Sequence, residues 1–168
     1  MSSQPQTPAA SSCQRDADGR LVGLVFNSTP PLTSPHTNPW LVAVDGSDNA
    51  LRAVALVAQQ ATEMNACAVH LFHAQPWLSK EAAETELPQR AWLATERARA
   101  LLDAKGQPWQ LHVAMGEPAD QIMALAGHLA CACIVIGRRG LGVTQSLLLG
   151  SVAYKLMHLS PYPVLVVR

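Results

Sequence analysis

From Trp40 onward the chain alternates two patterns. Short apolar-rich runs, "WLVAV", "CAVHLFHA", "WQLHVAMG", "CACIVIG" and "YPVLVVR", read as strands, "WLVAV" a buried one and "CACIVIG" buried on both faces. Between them, apolar residues recur at helical spacing. Leu51, Val54, Ala55 and Ala58 form one face of a helix opened by "DGS", where Ser47 can cap and Asp48 suits the positive first turn. After "QPWLSK" a longer helix is predicted, with Pro88 near its start and Gly106 closing it. Ala91, Ala94, Ala98, Leu101 and Leu102 share its inner face, and Glu96, Arg97, Arg99 and Asp103 are expected to face water. "EPADQIMALAGHLA" gives a helix with Pro118 in its first turn and Ile122, Leu125, Ala126 and Leu129 inward, and "SVAYKLMHLS" gives the last one. Alternating strands and helices joined by right-handed crossovers predict a doubly wound α/β domain. Its sheet is an open, five-stranded, parallel one in the order 3-2-1-4-5, with helices on both faces.

The pattern fails before residue 38. "SSQPQTPAASS" and "STPPLTSPHTNP" hold too little apolar surface to offset the entropy of ordering. Residues 1–37 are therefore expected to be a low-complexity, mostly disordered N-terminal extension to a domain at 38–168. Within it, "RLVGLVFN" is an apolar island that could dock as a strand.

Hydrophobic residues make up 49% of the 168, ample for a core. Charged residues make up 14% and balance to +0, which argues against nucleic acid or a membrane surface as partner. The opening "MSSQPQTPAA" lacks a secretory pattern and no apolar stretch suits a membrane span, so a cytoplasmic location is expected. The four cysteines, Cys13, Cys67, Cys131 and Cys133, lack the spacing of a zinc site and read as small apolar residues. The six histidines have no nucleophile or carboxylate partner apparent in the sequence, and no metal site is expected.

In a doubly wound sheet, ligands bind at the carboxyl ends of the strands where the order reverses. Asp45 follows the first strand, and "GRRGLGVTQSLLLGS", residues 137–151, follows the fourth. This loop is neither a P-loop, since no lysine follows Gly150 in the required place, nor a GxGxxG fingerprint. Thr144 and Ser146 lie in it without a GxSxG elbow. Gly137 and Gly140 allow positive φ and close backbone approach to an anion, and Gly150 and Ser151 fall at a helix start suited to phosphate.

Gly137, two residues, Gly140, nine residues, Gly150 and Ser151 together match the motif of the ATP-binding branch of the universal stress protein family, which this sequence resembles. "LVAVDGS", "MGEPADQI" and "GSVAYKLMHLSPYPVLVV" resemble the family's opening strand and turn, third helix and close. The likeness spans Trp40 to Arg168. It implies ATP, with Mg²⁺, as the bound nucleotide. Asp45 would lie beside the adenosine, Ala43 and Ala74 along the base, and Ile136 near the nucleoside. Gly137, Gly140, Gly150, Ser151 and the adjoining Val152 would hold phosphates, with Arg138 or Arg139 pairing with them. Two departures are Ala132, where an acidic residue is frequent, and Gln145, where a basic one is.

The simpler reading of Asp45 is an acidic turn residue, and of Ser151 a helix cap. The expected function is a nucleotide-dependent stress or signalling module, not an enzyme, with slow hydrolysis at most. No general base or P-loop lysine is visible. The alternative is a nucleotide-hydrolysing or adenylating enzyme of the same broad group. "PVLVV" would leave an apolar sheet edge that a homodimer covers, as the resemblance also implies.

Overall fold

The computed structural model describes residues 6–64, 67–140 and 149–168. One sheet of seven strands runs through it in the order β1-β2-β5-β4-β3-β6-β7. The strands are β1 (Ser12–Arg15), β2 (Leu21–Asn27), β3 (Pro39–Ala43), β4 (Ala68–Gln75), β5 (Trp109–Met115), β6 (Cys133–Gly137) and β7 (Val164–Val167). From β3 to β7 all pairings are parallel, and these five strands have the predicted order 3-2-1-4-5.

The helices are α1 (Asp48–Met64), α2 (Lys80–Ala94), α3 (Glu96–Ala104), α4 (Pro118–Leu129) and α5 (Ser151–Leu159). On one face Val54, Val57 and Ala61 of α1 and Leu87 and Leu102 of α2 and α3 bury against Val42, Leu71 and Val135. On the other, Ile122 and Ala126 of α4 and Leu156 of α5 bury against Leu41, Phe72 and Ile134. The central strands β3 and β6 thus send alternate side chains into two cores, which is why their sequences are apolar almost without a break. Among the described residues, no helix is long and apolar enough to cross a membrane.

Three expectations need correction. The segment before residue 38 is not mostly disordered among its described residues: β1 and β2 form an antiparallel hairpin, and β2 pairs antiparallel with β5. The physical reason is that Leu21, Leu24 and Phe26 each fall below 5% exposure in the first core. The apolar island thus buries enough surface to order its polar flanks.

The long helix is two. Ser79 caps α2 by accepting from the Ala82 N–H at 3.1 Å, so the helix begins at Lys80, well upstream of the start that Pro88 suggested. The break falls at Thr95, whose hydroxyl donates to the Ala91 carbonyl at 2.8 Å alongside its own backbone N–H at 3.1 Å.

Arg99 does not face water but is buried. Its guanidinium lies over the Trp92 ring at 3.3 Å, donates to the Trp92 carbonyl at 2.6 Å and to the Thr95 hydroxyl at 3.1 Å. Burial pulls its pKa down to about 10, so it stays charged at neutral pH. An aromatic face and two acceptors replace the water it gives up.

Candidate functional site

The chain winds outward from β3 in one direction, through β4 and β5, then crosses to β6 and β7 on the other side. A crevice opens where the β3 and β6 carboxyl ends diverge. A cavity of about 180 Å³ lies there.

Past β3, the Val44 N–H continues the ladder to the Phe72 carbonyl at 2.8 Å, and the next residue is Asp45. Asp45 Oδ1 accepts the Ser47 N–H at 2.9 Å, and Ser47 Oγ accepts the Ala50 N–H at 3.1 Å to cap α1. The turn is braced from below by His73, whose Nδ1 lies 2.8 Å from the Val44 carbonyl and donates to it. Burial lowers the His73 pKa, so the ring stays neutral and holds its tautomer by that bond.

On the β6 side, the Arg138 N–H donates to the Val167 carbonyl at 2.8 Å and the Arg138 carbonyl accepts the Gly150 N–H at 2.8 Å. The second bond closes the glycine loop at its base and starts α5 beside the end of β6. Gly150 is the N-cap and carries no side chain to satisfy the first turn. Ser151 is the first helical residue and exposed, so it is not the cap. Lys155 of α5 pairs with Glu117 at 3.1 Å and Asp120 at 3.0 Å, tying α5 to the start of α4 across the mouth.

The glycines are required for closeness rather than for positive φ, which neither Gly137 nor Gly140 adopts. A Cβ at Gly137 would stand 2.7 Å from the Asn49 carbonyl carbon, so a side chain would push β6 off the first turn of α1. At Gly140 a Cβ would stand 2.3 Å from Asp45 Oδ2. The loop backbone therefore lies directly against the carboxylate that ends the β3 turn.

All eleven residues singled out from the sequence line this one cleft. Ala43, Ala74 and Ile136 form its apolar part, and Asp45 stands at its edge. Gly137, Arg138, Arg139 and Gly140 line the β6 side, and Gly150, Ser151 and Val152 complete it from α5. Among the described residues, Arg138 Nε is buried without a hydrogen-bond partner, a donor in want of an acceptor. Sequence reasoning missed Ser47, Phe72, Pro118 and Ile122 as lining residues. Of these, "EP" at the start of α4 and "DGS" after β3 were visible as turns at carboxyl ends. Thr144, Gln145 and Ser146 lie outside the described residues.

The remaining titratable groups sit elsewhere. His70 of β4 and His112 of β5 approach at 2.9 Å, Nδ1 to Nε2, and the His36 ring centre is 5.1 Å from that of His70. Burial pulls His70 down to about 3 and His112 to about 4. Burial pushes the Cys67 thiol up to about 11 and raises Cys131 and Cys133. Among the described residues, no three His, Cys, Asp or Glu side chains are placed to hold a metal ion.

Residues 38–168 match the universal stress protein family model. A universal stress protein of Thermus aquaticus, named for the QAH/OAS sulfhydrylase 3′ region, is 35% identical over 132 residues, covering 76% of this chain and 96% of that protein. Universal stress protein YxiE of Bacillus subtilis is 30% identical over 151 residues, covering 78% and 99%. A crystal structure of a universal stress protein in complex with cAMP superposes with a TM-score of 0.65 at 26% identity, covering 78% of this chain and 97% of that one. With the family model spanning β3 to β7 and the cleft between them, this chain belongs to the universal stress protein family.

Proposed function

We propose that the cleft binds an adenine nucleotide, ATP with Mg²⁺ in the fullest form of the reading, and that occupancy switches a cytoplasmic stress-response or signalling module. The observation that carries this is the meeting of three sequence-distant parts on one cleft: the Asp45 turn, the Gly137–Gly140 segment, and the α5 start at Gly150. Ala43, Ala74, Ile122 and Ile136 offer an apolar wall for a planar base. Asp45 suits ribose hydroxyls, which donate to a carboxylate. The first-turn N–H groups of α5, with Arg138 and Arg139, suit phosphates. Mg²⁺ is commonly held by one or two carboxylates together with the phosphates themselves, and Asp45 is the carboxylate at hand. The related protein solved with cAMP adds weight to an adenine ligand.

Asp45 Oδ1 is already engaged by the Ser47 N–H, which fits a binding group better than a general base. Hydrolysis is accordingly read as slow at most. A turnover well above about one per second would replace the module with an enzyme.

A homodimer through β7 belongs to the same reading. β7 pairs with β6 on one side, Leu165 is exposed on it, and Tyr154, Met157 and Leu159 of α5 are more than half exposed. Light scattering that finds only monomer at micromolar concentration would rule this out.

The deciding experiment is calorimetry with ATP and Mg²⁺ on the wild type and on Gly150→Val. A β-branched side chain at that N-cap crowds Arg139 Cα, which an added Cβ already approaches to 3.4 Å. Binding by the wild type that disappears in the variant is expected. Absence of binding by the wild type would overturn the reading.

A further inference from the structure

The β1–β2 hairpin lies outside the family match, and its turn grips the molecule beside the cleft. Asp16 fixes that turn, its Oδ1 accepting the N–H groups of Asp18 and Arg20 at 3.0 and 2.9 Å. Three contacts then reach the segment after β4. The Arg20 guanidinium carbon stands 5.6 Å from the centre of the Trp77 ring, Lys80 Nζ donates to the Asp18 carbonyl at 2.7 Å, and Arg15 pairs with Glu84.

The gripped segment continues the strand that carries Ala74, a residue of the apolar wall. Its indole packs on the opposite wall's support: a Cβ on Gly116 would meet Trp77 Cζ2 at 3.6 Å, and two residues later Pro118 lines the cleft. The two turns are also joined directly, by the Gly116 N–H donating to the Gln75 carbonyl at 3.1 Å. Trp77 is 60% exposed, so burial does not hold it in place. Its position is set by Arg20 on one side and Gly116 on the other.

We propose that the hairpin is a clamp on the base side of the cleft, in which Arg20 is a positioning residue that fixes Trp77 and, through it, the spacing of Ala74 and Pro118 around a planar base. The clamp rests on the adenine-nucleotide reading. It makes affinity depend on a hairpin whose own residues line no part of the cleft.

The test is AMP affinity and AMP-induced tryptophan emission in the full chain, for the wild type, Arg20→Ala, Arg20→Lys, Trp77→Phe and Trp77→Ala, with a melting curve for each. Arg20→Ala is expected to weaken AMP about fivefold, the scale of one cation–π contact, with little change in melting. Arg20→Lys, which keeps a cation near the ring, should recover most of that loss. Trp77→Phe should keep near-normal affinity but lose the AMP-induced emission change.

If the wild type binds AMP and both Arg20→Ala and Trp77→Ala bind equally well, the clamp is overturned while the nucleotide reading stands. If the wild type binds neither AMP nor ATP, that reading falls and takes the clamp with it. Should Arg20→Ala melt several degrees lower, Trp77→Ala decides, because it trims an exposed ring: unchanged affinity there refutes the clamp.

Discussion

At the carboxyl ends of β3 and β6 the polar groups line a cleft open to a ligand, whereas within β4 and β5 they face one another. Among the described residues, Arg138 Nε has no acceptor in the first region, while in the second His70 and His112 share a 2.9 Å hydrogen bond, although His70 Nε2 is itself unpartnered. Both regions border the same core that packs under α4, and the difference lies in the strand order. Where the winding reverses, no crossover covers the strand ends, so the polar groups there border an open cleft. Where neighbouring strands are covered, a polar side chain must find a partner within the fold or be kept neutral.

Acidification breaks the comparison from the histidine side and has the largest expected effect. The folded-state pKa values of His70 and His112, about 3 and about 4, lie below the ordinary 6.5. Below pH 6.5 the unfolded chain therefore binds more protons than the folded one. Stability from this source is complete above pH 6.5, falls as pH drops, and levels off only below about 4 for His112 and about 3 for His70. By pH 5 the loss should be on the order of 2–4 kcal/mol for the coupled pair. Urea melts from pH 7.5 to 5, beside His112→Gln, check it. The variant should lose about half of this pH dependence, and an unchanged curve would mean that the pair takes up protons without unfolding.

Gly137→Ala attacks the cleft side through its scaffold. Its Cβ meets backbone on α1, which cannot swing away, so the variant should lose about 1–3 kcal/mol by urea denaturation. Wild-type stability would mean that β6 and α1 separate easily.

Gly140→Ala sharpens the contrast with the smallest effect on folding. Its Cβ meets the tip of Asp45, a side chain that can rotate, so stability should change by less than about 1 kcal/mol. Nucleotide affinity should nevertheless fall at least about tenfold, because the displaced carboxylate fills the ligand's place. Calorimetry with normal affinity would separate Asp45 from the binding role.

The parts legible in the sequence are those fixed by local pattern and by one motif. Runs such as "CIVIG", bounded by turn residues, read as buried strands, and their alternation with helices pointed to the doubly wound sheet whose order β5-β4-β3-β6-β7 is found. The cleft residues came from a motif whose spacing already encodes the distance from the β6 end to the α5 start. What remained illegible depends on partners far along the chain. Nothing near Arg99 says that Trp92 and Thr95 will enclose it, since that needs the chain to turn at Thr95. Composition misjudged the hairpin because Ser and Pro dominate its flanks, while the few apolar residues Leu21, Leu24 and Phe26 bury it in the core. The glycines singled out do line the cleft, but not with the positive φ expected of Gly137 and Gly140: closeness to Asn49 and Asp45 becomes visible only once α1 and β6 are side by side.

The exposed thiol of Cys13 on β1 offers a spectroscopic handle. The other three cysteines are partly or fully buried and their thiols raised, so a thiol-reactive probe at neutral pH should select Cys13. β1 and β7 are the two outer strands of the seven, six strand spacings or about 29 Å apart. Two copies joined edge to edge at β7 would form one continuous sheet, with its labels at opposite rims about 60 Å apart. Pairing through β1 would instead bring the labels close together, so one attached probe can tell the two edges apart.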